Sequence, residues 1–134
     1  MDPDSTHVPN CVISHIDHLV LTVRDTGRAA EFYGRVLGME PVTFAGGRRA
    51  LRFGNQKINL HELGQETRNH AAIGSGDLCL IANRPLDEVI ARLHKEGVAI
   101  IDGPGERAGA LGPIQSVYFN DPDGNLIEIS VYRA

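Results

Sequence analysis

The chain repeats itself, and the repeat limits the fold more than any single motif does. "HLVLTV" opens at His18 and "DLCLIA" opens at Asp77, 59 residues later, and the helix-closing glycines Gly38 and Gly97 keep the same spacing. Each copy reads as strand, helix, then three strands. A unit this small, with one helix, cannot bury both faces of a sheet, so two such units must share their burial. The expected class is α+β, with paired βαβββ modules. Eight strands form a cup, with one helix packed outside each sheet. The 134 residues suit a single domain. Its expected span is 14–134, with module one at about 14–64, module two at about 76–134 and a flexible N-terminal tail over 1–13.

Local signals support each element. Asp25 or Thr26 can cap a helix carrying Ala29, Phe32, Tyr33, Val36 and Leu37 at helical spacing, which Gly38 ends. "EPVTFA", "RALRFG" and "KINLHEL" read as strands parted by Gly46-Gly47 and Gly54-Asn55. In the second copy Pro85 starts a helix with Asp87 and Glu88 in its first turn and Lys95 in its last. "VAIIDG", "IQSVYF" and "LIEISVY" follow as strands, with "GPGERAGALGP" as a long irregular excursion and "DPDG" as a hairpin turn.

Composition narrows the function. A net charge of −4 with 22% charged residues argues against nucleic-acid or anionic-membrane binding. No apolar run approaches the roughly 20 residues of a membrane span. The acidic N-terminus has no secretory pattern. Cys11 and Cys79 form no CxxC pair and read as free thiols in a reducing cytoplasm.

Strand parity sorts the remaining polar residues, because side chains alternate faces with period two. Leu19, Leu21 and Val23, Ile58 and Leu60, Leu78 and Leu80, and Ile127, Ile129 and Val131 take the helix side. His18, Asn59, His61, Asp77, Glu128, Ser116 and Tyr118 fall on the other side. Singly, each has an ordinary explanation: a hydrogen-bonded histidine, an exposed strand end, a strand-entry aspartate, an internal Arg–Glu pair. Jointly, two imidazoles and a carboxylate on separate strands are the parts of a divalent-metal site with open positions. A cation would also account for Glu128, a charge inside the apolar run "LIEIS".

At this point the residues resemble a known family. "IDHLVLTVRDTGRAAEFYGRVLGME" and "VYFNDPDGNLIEIS" are similar to the vicinal oxygen chelate superfamily, over roughly residues 14 to 132. That group includes glyoxalase I, extradiol dioxygenases and bleomycin-resistance proteins. "GNQKINLHELG", "DLCLI" and "GPGERAGALGPIQSVYF" resemble its small glyoxalase-domain proteins. The resemblance implies the glyoxalase/bleomycin resistance/dioxygenase fold, a divalent metal (Fe, Ni, Zn or Mn) in the cup, and ligands from the first and last strands of each module. His18 and Glu128 match those ligand positions. Asp77 stands where the family usually has histidine, and Asn59 where it usually has glutamate. His61, two residues on and on the same face, offers the second imidazole, giving the expected metal set His18, His61 and Glu128.

The expected function is glyoxalase-like lyase or isomerase chemistry on a small oxygenated or thiol-conjugated metabolite. Glu128 or Asp77 serves as base, and Asn59, Tyr118 and Arg107 contact substrate. Two alternatives remain: an Fe(II) extradiol-type ring-cleaving dioxygenase, and a non-catalytic small-molecule binder. A cytoplasmic homodimer is expected by analogy with the family.

Overall fold

The computed structural model describes residues 8–132. Residues 1–7 of the expected tail and the last two residues of the domain lie outside that range. Residues 8–13, the rest of the tail, are exposed and belong to no helix or strand.

Module one runs β1 (His18–Val23), α1 (Thr26–Leu37), β2 (Glu40–Phe44), β3 (Arg48–Phe53) and β4 (Gln56–Glu62). Module two runs β5 (Asp77–Ile81), α2 (Leu86–Lys95), β6 (Asp102–Gly109), β7 (Gly112–Asn120) and β8 (Leu126–Tyr132). Each module makes its own four-stranded sheet, in the order β1-β4-β3-β2 and β5-β8-β7-β6. The first and last strands of each module pair in parallel and the others antiparallel. The repeat in the sequence is therefore a repeat of topology.

Helix ends follow the local chemistry. The Asp25 carboxylate accepts from the Arg28 amide at 3.0 Å, and Gly38 takes the left-handed conformation at φ 72° that a Cβ would resist. In α2 the acids stand in the first turn and Arg92, His94 and Lys95 in the last, complementing the helix dipole. One segment departs from the expectation. Residues 98–101 of "VAIIDG" are not strand, and β6 begins at Asp102 and runs through the supposed excursion. Glycines and a proline masked it, because such residues normally mark turns. Here β6 is an edge strand of exposed and half-buried residues, where the ladder tolerates them.

The parity assignment holds along β1, β4, β7 and β8. Val23, Ile58, Leu60, Val117, Phe119 and Ile127 are buried to within 1%. They join one core with Ala29, Phe32, Tyr33 and Val36 of α1 and Val89 and Leu93 of α2. The Phe32 ring lies 6.3 Å from the Phe119 ring of the other module. The helix-covered sides of both sheets thus share one apolar interior, which buries more surface than two separate helix–sheet packings would.

The "DPDGN" turn ties this arrangement together. Tyr33 donates from its hydroxyl to Asp121 at 2.6 Å, and burial with the Asp121 charge holds the phenol far above its ordinary pKa. Arg24 donates its amide and a guanidinium N–H to Asp123. Asn125 donates to Asp121 and accepts from the Gly76 amide at 2.7 Å. The turn is a hairpin loop, as its residues suggest, and also a clamp from module two onto module one.

Candidate functional site

Because the helix sides share the core, the opposite face of each sheet looks outward. The residues expected to line the cup fall into two groups, one half on each sheet.

The half on the first sheet carries His18, Val20 and Thr22 from β1 and Lys57, Asn59 and His61 from β4. His18 stands opposite Lys57, Val20 opposite Asn59 and Thr22 opposite His61. His18 is exposed, and its Nδ1 lies 2.8 Å from the Asp17 carboxylate. That contact lowers the Asp17 pKa and assigns the ring proton to Nδ1, leaving the Nε2 lone pair free. Imidazoles that bind metal are commonly oriented by a carboxylate in this way. Two polar atoms on this face, Asn59 Oδ1 and His61 Nδ1, are buried without a hydrogen-bond partner.

The half on the second sheet carries Asp77, Cys79 and Ile81 from β5, Glu128 and Ser130 from β8, Ser116 and Tyr118 from β7, and Arg107 from β6. Cys79 stands opposite Glu128, and Glu128 opposite Tyr118. A hydroxyl chain runs beneath them. Ser116 Oγ and Ser130 Oγ are 2.6 Å apart, Cys79 Sγ is 3.2 Å from Ser130 Oγ, and Ser130 donates to Glu128 at 3.3 Å. Burial and then the Glu128 charge push the Cys79 thiol up. Burial and Glu128 likewise raise the Tyr118 phenol, against the pull of Arg107. Arg107 is on a strand rather than in a loop. It donates to Asp102 at 3.0 Å, and its guanidinium lies 5.5 Å from the centre of the Tyr118 ring.

The seven site residues expected from the sequence therefore separate. Asp77, Arg107, Tyr118 and Glu128 share one face, and His18, Asn59 and His61 share the other. His18 and His61 are four register positions apart, about 13 Å along the strands. Two nitrogens on one ion, each about 2.1 Å from it, sit far closer. Among the described residues, no three His, Cys, Asp or Glu side chains converge on a point that could hold a metal. The donor set thus fits a divalent metal in kind, with one pre-oriented imidazole and two carboxylates, but is split between two faces of the chain. Asp17 and Asp102 are not among the residues expected from the sequence, and the hydrogen bond between Ser116 and Ser130 is a cross-strand relation that parity alone does not give. Only Asp17, adjacent to His18, carried a local signal.

A cleft of about 210 Å³ opens where the inter-module linker passes the end of β4, lined by Thr22, His61, Glu62, Glu66 and Asn69 among others. Glu66 is bound there by Arg68, whose side-chain hydrogen bonds hold its pKa down to about 2.

A fold of two βαβββ modules with His18 and Glu128 on their uncovered faces defines a class, and the chain belongs to the Glyoxalase/Bleomycin resistance protein/Dioxygenase superfamily, whose model matches residues 15–129. It is 50% identical over 124 residues to Virulence protein STM3117 of Salmonella typhimurium, covering 90% of this chain and 86% of that one. An integron cassette protein from the mobile metagenome of V. cholerae matches with TM-score 0.87 and 51% identity, over 92% of this chain and 98% of the other. More distant folds include a lactoylglutathione lyase from Agrobacterium tumefaciens (TM-score 0.71, 26% identity, 90% and 96% covered). Another is the antibiotic binding protein TnmS3 from Streptomyces (TM-score 0.72, 25% identity, 92% and 99% covered).

Proposed function

We propose that the protein is a divalent-metal-dependent lyase or isomerase of glyoxalase type that works as a homodimer in the cytoplasm. In this reading the first sheet of one copy faces the second sheet of its partner. The observation that carries it is the division of donors. His18, with Nε2 free, lies on one uncovered face, and Asp77 and Glu128 lie on the other. Both faces also expose apolar side chains: Val20 is 38% exposed and Ile81 55%. Pairing two copies would cover these and bring the donors together twice per dimer.

His18, Glu128 and Asp77 would hold the ion, which when bound supplies Lewis-acid polarisation of neighbouring substrate oxygens. Glu128 is the base that moves a proton on the substrate, a small oxygenated or thiol-conjugated metabolite. Tyr118, opposite Glu128, keeps its proton and can donate to a substrate oxygen. Arg107, paired with Asp102, steadies Tyr118. In this reading His61, four register positions from His18, takes no part in holding the ion. The similarity to a lactoylglutathione lyase supports this reading. An Fe(II) ring-cleaving reaction is less well supported, because Asp77 replaces an imidazole that chemistry normally uses.

The test is metal analysis of the purified dimer, then assay with hemithioacetals under each divalent metal. Bound metal that is lost in His18→Ala, together with turnover, supports the reading. A metal-free protein that still binds small molecules favours the second reading, a ligand-sequestering protein. The similarity to an antibiotic binding protein and the departures at Asn59 and Asp77 point that way.

A further inference from the structure

The cleft at the end of β4 sits on the same uncovered face as His18, but four register positions away. Thr22 and His61, a directly opposed pair, form its floor, and the linker residues Glu66 and Asn69 form its wall. His61 Nδ1 is shut off from solvent and has no partner. A neutral imidazole carries one N–H. Placing it on Nδ1 would bury an unanswered donor, which is rarer in folded proteins than an unanswered acceptor. The proton therefore belongs on Nε2, the ring nitrogen left open to the cleft. Among the described residues the Thr22 hydroxyl also has no hydrogen-bond partner, although Thr22 is only 8% exposed. The His61 Nε2–H and the Thr22 hydroxyl, adjacent on the floor of one cleft, are thus both open to a ligand or to water.

We propose that this cleft is a subsite for a neutral, hydroxylated part of the substrate. The lining chooses that chemistry. His61 Nε2–H donates. The Asn69 amide oxygen already accepts from the Ala71 amide at 3.3 Å, so its NH₂ remains to donate. The Thr22 hydroxyl does either. Glu62 accepts, and its charge turns away carboxylates and phosphates, while the Glu66 carboxylate is already taken up by Arg68. The volume equals roughly seven water molecules at about 30 Å³ each, room for a short polyol-like group. A substrate reaching from His18 to His61 spans about 13 Å, so the reacting group belongs to an elongated molecule. This rests on the reading of the uncovered face as the substrate surface, and it makes His61 a substrate-binding residue rather than a metal ligand.

The test uses the full chain labelled with ¹⁵N-histidine and titrated with erythritol and, separately, erythronate. Erythritol should move the His61 ring signals in a saturable way and more strongly than erythronate. Thr22→Val, close in shape, should weaken that binding by about fivefold, as for one lost hydrogen bond. His61→Gln should leave bound metal unchanged, whereas His18→Ala removes it. No saturable shift with erythritol would mean that water alone fills the cleft, and it would overturn the proposal. So would tighter binding of erythronate, or loss of metal in His61→Gln. All the lining residues come from one chain, so erythritol binding can succeed even where the dimeric metal site fails.

Discussion

His18 shows how little of a site a residue's identity conveys. Taken alone, a histidine at a strand start reads more readily as a structural residue than as a ligand. The Asp17 carboxylate 2.8 Å from its Nδ1 adds which nitrogen is free, and Nε2 is the atom that a metal would meet in the proposed site. Asp17→Asn should keep the fold and lower metal affinity by about 10- to 100-fold, measured by competition with a chelator. Cys79 reports on the other face. Burial and, after it, the Glu128 charge raise its pKa, so Glu128→Gln should modestly speed alkylation of Cys79 near neutral pH, and an unchanged rate would separate the two side chains. Tyr33 belongs to the core. Its folded pKa is raised, so its contribution to stability is complete below the unfolded phenol value of about 10 and declines as pH rises above it. Tyr33→Phe should cost about 1.5–3 kcal/mol at neutral pH and flatten that alkaline decline in denaturant titrations.

At the scale of elements, legibility tracked how local the cause was. Helix α1 could be read because its cap, its apolar stripe and its terminal glycine all lie within the segment. Alternation placed Glu128 and His18 on uncovered faces for the same reason. β6 could not be read, because an edge strand needs neither alternation nor apolar residues. The "DPDGN" turn was half legible. Its turn chemistry is local, but its role as a clamp depends on Tyr33, Arg24 and Gly76, distant in sequence. Gly76 is the tightest point of that clamp, where an added Cβ would meet Leu21 at 2.7 Å and the Asn125 amide oxygen at 2.8 Å. Gly76→Ala should therefore destabilise the protein by about 1–3 kcal/mol in chemical unfolding, although it lies outside every helix and strand.

At the scale of the whole molecule, the sequence specifies two modules and two faces, but not which faces meet. Parity is a property of one strand, whereas module pairing depends on where the helices go. Both helices here lie within the shared core, which places His18 and Glu128 on different faces of one chain. Register then separates His18 from His61, a relation invisible until β1 and β4 are paired. If the site forms between copies, the metal site belongs to the dimer alone.

Mixing two inactive variants tests that claim most directly. His18→Ala and Glu128→Gln homodimers should each hold little divalent metal. After unfolding and co-refolding in equal amounts, half the dimers are mixed, and each mixed dimer has one site with both donors intact. Metal content should then recover to about a quarter of the wild-type value, carried by the mixed species in native mass spectrometry. Mixed dimers that hold no more metal than either parent would contradict a site shared between two chains.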